Sequence, residues 1–98
     1  MVNNTSHKIK MAMLAKTDSD YPLVVEVARK NLPKVRAHIS GSLMYEYLNQ
    51  WEKALSDKEQ LKKLIADESS FGYDLWQINP FCGVFSQKER LRILRADG

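Results

Sequence analysis

One cysteine, two histidines, four glycines and three prolines are all that 98 residues supply of the types that build disulfides, metal sites and tight turns. With Cys82 alone, an intramolecular disulfide cannot form and a thiolate-rich metal site is excluded. Two histidines, His7 and His38, set among scattered acids make no zinc site, so neither a metal nor a cofactor is expected. So few glycines and prolines do not suit a sandwich or barrel with its many tight turns. Long hydrophobic runs are missing too. Met11 to Ala15 is too short for a secretion signal core and far too short to cross a bilayer, so no membrane partner is expected. A lone thiol and no signal segment together point to a reducing, cytoplasmic setting.

What is present is ordinary for a folded domain: 44% hydrophobic and 28% charged residues, away from the composition that keeps chains disordered. A chain of 11.3 kDa has room for one modest core. The pattern predicts a polar, disordered tail over 1–6 and a single helical domain over 7–98. The net charge of +3 conceals a division of sign. Residues 8–38 hold seven Lys or Arg against three acids, residues 42–79 four against seven, and residues 86–98 four against two. Basic ends and an acidic middle favour self-complementary docking, or an acidic protein partner, at least as much as a nucleic-acid groove.

Apolar residues recur at three- and four-residue steps, which predicts an all-α fold of five or six short helices. Thr5 or Ser6 is placed to cap a first helix reaching about Lys16, with Ile9, Ala12 and Met13 inward, before a polar linker over 17–20. Asp20 and Pro22 open a second helix, in which Tyr21, Val24, Val25, Ala28 and Leu32 share a face. Its three valines also suit a strand, so 22–32 reads either way. A kink or break is expected at Pro33, and Ser40-Gly41 ends the segment.

Ser42 is expected to cap a helix with Met44, Leu48, Trp51 and Leu55 in one stripe. Ser56-Asp57-Lys58-Glu59 has capping-box spacing and opens the next helix, with Leu61, Leu64 and Ile65 inward and Lys58, Lys62 and Lys63 in water. Ser69 or Ser70 caps a shorter one that aligns Phe71, Leu75 and Ile78 and ends at Asn79, before Pro80. Ser86-Gln87-Lys88-Glu89 is a second capping box, and Leu91 and Leu94 are read as the inward residues of the last helix.

Five of the nine aromatic residues fall between Phe71 and Phe85, so this elbow is predicted to pack on the helix from Ser42 to Leu55 as the knot of the domain. Cys82, flanked by apolar neighbours, reads as a small buried hydrophobe, although a thiol nucleophile helped by His7 or His38 is the enzymatic alternative. No spacing supports that alternative, and no enzyme is expected.

The leading reading is a non-enzymatic protein-interaction module that docks on a partner or on its own copy, as a homodimer. Its candidate anchors are Tyr45, Tyr73 and Trp76, which lie off the main stripes, with Arg92 and Arg95. The alternative is a small nucleic-acid-binding regulator. It would use Arg29, Lys30, Lys34 and Arg36 together with Lys88, Arg90, Arg92 and Arg95, provided the fold brings both clusters to one face.

Overall fold

A computed structural model describes residues 4–95, with side chains from His7 onward. It contains α1 (Asn4–Ser19), α2 (Tyr21–His38), α3 (Ser42–Ala54), α4 (Lys58–Ala66), α5 (Ser70–Gln77) and α6 (Gln87–Arg95), and no strand occurs among the described residues. The helix–strand ambiguity over 22–32 resolves as helix. Asp20 accepts the Leu23 amide at 3.4 Å, Pro22 sits in the first turn, and Val24, Ala28 and Leu32 bury one stripe. Burial of that stripe outweighs the small extended-chain preference of valine.

Several boundaries differ from the sequence reading. The expected break at Pro33 is absent, and α2 runs through to His38. Pro33 is exposed, so water can satisfy the Arg29 carbonyl that lacks its amide donor. The linker expected over 17–20 is still helix as far as Ser19, and Thr17 is fully buried because its hydroxyl donates to the Met13 carbonyl at 2.7 Å. Helical backbone is already present at Asn4; the tail over 1–6 and the side-chain cap at Thr5 or Ser6 otherwise lie outside the described residues. Gly41, with φ of 90°, holds the N-cap position of α3 in place of Ser42.

The box expected at Ser56 also moves. The Ser56 amide already donates to the Lys53 carbonyl at 3.3 Å in the last turn of α3, so Glu59 has no free donor to reach back to. Asp57 caps α4 instead, accepting the Gln60 amide at 3.2 Å. Lys58 and Lys62 do not simply point into water, since they lie 3.7 Å and 2.9 Å from the Asp18 carboxylate and tie α4 to α1. That contact holds the Asp18 carboxyl below its ordinary value, chiefly through the Lys62 hydrogen bond.

α1 packs across α2, α4 and α6, while α3 packs on α2, α4 and α5. Between these layers lie Ile9, Met13, Val24, Leu48, Trp51, Leu55, Leu61, Ile65 and Leu75, all buried. The aromatic knot forms where the elbow meets α3. Trp51 meets Phe81 edge-on at 5.2 Å and Trp76 at 6.4 Å, and its Nε1 donates to the Leu75 carbonyl at 2.8 Å. Each such ring pair adds about 0.5–1.5 kcal/mol beyond the area it buries.

α5 stops at Gln77, two residues before the expected Asn79, and the side chain of Asn79 folds the elbow. Its Nδ2 donates to the Trp76 carbonyl at 2.8 Å and its Oδ1 accepts the Phe81 amide at 3.0 Å. Gly83 turns the chain with φ of 97°. The second capping box then forms as read: the Ser86 amide donates to Glu89 Oε1 at 2.9 Å, and the Glu89 amide to Ser86 Oγ at 3.1 Å.

Candidate interaction surface

α6 is the least embedded helix. None of its residues is fully buried. It rests on α1 through half-buried Ile93 and Leu94, and Lys8 Nζ donates to the Leu94 carbonyl at 3.0 Å. Leu91, read from the sequence as inward, is 45% exposed, and Ile93 takes the inner position instead. The leucines and isoleucine at 91, 93 and 94 allow two helical registers, and contact with α1 selects the one with Leu91 outside.

Outward, Lys88, Leu91, Arg92 and Arg95 line a shallow groove of about 450 Å³. Lys16 of α1 approaches from the side, near enough to act on Glu89 together with Arg92. Glu89, the acid on this helix, is engaged in the cap. The Ser86 amide, and then the Ser86 hydroxyl, holds its carboxyl below its ordinary value. The face is therefore an exposed leucine ringed by cations.

The other basic cluster lies elsewhere. Arg29 Nη2 donates to Ser56 Oγ at 3.5 Å, just past the end of α3, and Arg36 Nη2 to Asn49 Oδ1 on α3 at 3.4 Å. They line a separate groove with Leu32, Pro33 and Glu52. Lys30 pairs with Glu26 at 3.5 Å, and Lys34 is exposed. Arg29 and Arg36 thus line a different groove from Lys88, Arg92 and Arg95.

The three aromatic candidates are likewise dispersed. Trp76 is 9% exposed and belongs to the core knot, so it is not a surface anchor. The Trp76 ring packs beside Trp51 at 6.4 Å and Phe81 at 6.1 Å. Tyr45 is exposed on α3, its hydroxyl donating to the Ile39 carbonyl at 3.4 Å. Tyr73 is 57% exposed on α5. Among the described residues neither tyrosine stacks on a ring or on an arginine.

A second surface, not singled out by the sequence reading, spans α3 and α5. Phe71, expected inside, is exposed and rests edge-on against Tyr47 at 5.6 Å, with Leu43 one turn before Tyr47. Glu46 and Asp74 stand at helical neighbour positions to Leu43 and Phe71, and neither has an ion-pair partner among the described residues. This face is apolar at the centre and acidic around it.

Two structural residues were also missed. Lys10 is buried, its side chain 5% exposed, with Nζ donating to the Asp67 carbonyl at 3.1 Å and standing 5.6 Å from the centre of the Trp76 ring. Asp67 is held in turn by Ser69, whose hydroxyl and amide hydrogen bonds keep the Asp67 carboxyl below its ordinary value. Lys10, Met13 and Thr17 stand at helical spacing, which is the signal that a tally of charges hides. Asn31 Nδ2 donates to the Pro80 and Cys82 carbonyls at 2.9 Å and 2.6 Å and clips the elbow to α2. Cys82 itself is exposed, not buried as expected, because the turn at Gly83 carries it to the rim.

No family model, curated protein or solved structure matches this chain. Among the described residues no helix is long and apolar enough to cross a membrane, and no group of three His, Cys, Asp or Glu side chains is arranged to hold a metal ion.

Proposed function

We propose that this protein is a non-enzymatic interaction module whose α6 docks onto an acidic, aromatic-bearing helical surface, and that a second copy supplies that surface through α3 and α5. The carrying observation is the outer face of α6, where Leu91 is 45% exposed within a ring formed by Lys88, Arg92 and Arg95. A partner for such a face needs an apolar centre and negative charge at its margin. Leu43, Tyr47 and Phe71, bordered by Glu46 and Asp74, have that form. Reciprocal use of the two patches about a two-fold axis closes a dimer. Each patch is small, α6 contributing a single nine-residue helix, so micromolar association is expected. Chemistry of this kind is at home in a reducing cytoplasm, where the exposed Cys82 stays a thiol.

Light scattering across a concentration series tests the reading. The mass is expected to rise above the monomer value of 11.3 kDa at low salt and to fall back toward it in about 0.5 M salt. Arg92→Glu with Arg95→Glu should abolish the rise, and mixing that variant with Glu46→Lys plus Asp74→Lys should restore it. A monomer at every concentration defeats the proposal. So does salt-sensitive retention on a random duplex that disappears in the same arginine variant, because the face would then be reading phosphates.

A further inference from the structure

A cavity of about 560 Å³ opens between α1, α5, the elbow over 78–86 and the inner flank of α6. Its size falls within the range of roughly 300–1,000 Å³ typical of small-molecule sites. Ile9, Met13, Trp76, Phe81 and Phe85 form its apolar side, the first four buried beneath it and Phe85 half-buried. The inner polar side chain, Asn79, is already engaged, since both ends of its amide bond the elbow backbone. Among the described residues no buried side-chain nitrogen or oxygen lacks a partner. Nothing inside therefore calls for a polar ligand body. At the mouth stand Gln87 and Arg90, one helical turn apart on α6, and no carboxylate lines the cavity. Arg90 has no acid within ion-pair distance among the described residues.

We propose that this cavity binds a small amphipathic carboxylate, aryl or medium-chain, with its hydrocarbon body against half-buried Phe85, over the floor that Trp76 and Phe81 form, and its carboxylate on Arg90. A guanidinium fork at the lip of an apolar hollow matches a planar anionic head on a hydrophobic body. The site is separate from the docking face, because Arg90 borders the cavity whereas Lys88, Leu91 and Arg95 line the outer groove.

Cys82 lies on the lip and is the sole cysteine, so its alkylation reports occupancy at one position. Octanoate and naphthalene-2-carboxylate, each paired with its neutral carboxamide, are titrated while the rate of Cys82 modification by iodoacetamide is followed by intact mass. Tryptophan fluorescence serves as a second readout. The acids are expected to slow modification, and the amides to require about fivefold to tenfold more ligand, as befits one charge-assisted contact at a partly solvated mouth. Arg90→Ala should erase the difference between acid and amide, and Arg90→Lys should keep part of it. Circular dichroism confirms that the exposed substitution leaves the fold intact. Absence of protection by the acids overturns the assignment, as does equal protection by acid and amide or discrimination that survives Arg90→Ala.

Discussion

Replacing Gly72 with alanine separates local preference from tertiary geometry, because the two predict opposite signs. In a helix interior, alanine is favoured over glycine by about 0.5–1 kcal/mol, so α5 considered alone should gain from Gly72→Ala. In the folded chain, a Cβ at position 72 would stand 2.6 Å from both the carbonyl carbon and the Cβ of Asp67, and closer still to the Asp67 carbonyl oxygen. Carbon atoms in contact sit about 3.5–4.0 Å apart, so the Asp67–Ser69 turn would have to retreat by about 1 Å. That turn carries the Ser69 cap on the Gly72 amide at 3.2 Å and the Lys10 hydrogen bond to the Asp67 carbonyl at 3.1 Å. Losing the cap costs about 1 kcal/mol, disturbing the Lys10 bond about 1.5–3, and overpacking itself about 1–3. These contributions overlap, and with the propensity gain subtracted the net loss comes to about 2–4 kcal/mol. For a domain of this size that lowers Tm by roughly 10–30 °C, readable by far-UV circular dichroism on heating and by the urea midpoint. Gly41→Ala is the control. Its Cβ meets nothing within 4 Å, and only the positive φ opposes it, at about 1–2 kcal/mol. A Tm for Gly72→Ala equal to or above that of the parent would refute the close approach of α5 to the end of α4.

Asn31→Ala removes both donations to the elbow carbonyls and is expected to cost about 1–2 kcal/mol, with faster amide exchange confined to residues 78–86 as its signature. Unchanged exchange there would show that the aromatic knot holds the elbow unaided. Acid should also loosen the molecule in a defined direction. Asp18 and Asp67 lie below their ordinary value of 3.8 and Glu89 below 4.5, held there by Lys62, by Ser69 and by the Ser86 amide respectively. A carboxyl whose folded value is depressed contributes stability above its unfolded value and loses it as pH falls through the folded one. Urea midpoints should therefore be level above about pH 5 and decline below it, and Glu89→Gln should flatten part of that decline.

Local chemistry was the legible part. The Ser86–Glu89 box forms as its spacing implies because both donors and both acceptors lie within four residues, with nothing else competing for them. The identical spacing at Ser56–Glu59 fails because the preceding helix had already taken the Ser56 amide, a fact about α3 that the four residues do not contain. The elbow was correctly placed on the helix of Trp51, yet Trp76, read as a surface anchor, joins the core knot, while Phe71 lies outside on α5 and Cys82 is carried out by the turn at Gly83. For the candidate surface, the arginines of α6 could be found from their own helix. The approach of Lys16, the outward turn of Leu91 and the acidic face over α3 and α5 depend on contacts between distant segments.

The position of α1 has a consequence for how the chain is made. Its main supports are α4 and α6, both synthesised well after it, so the stripe of Ile9, Met13 and Thr17 leaves the ribosome long before its covering helices exist. At about 5–20 residues per second that interval lasts seconds, while helices form in microseconds. Through the wait for α4, α3 can pack only on α2. α1 is then made before most of what covers it, and a holding chaperone would meet this protein at that stripe.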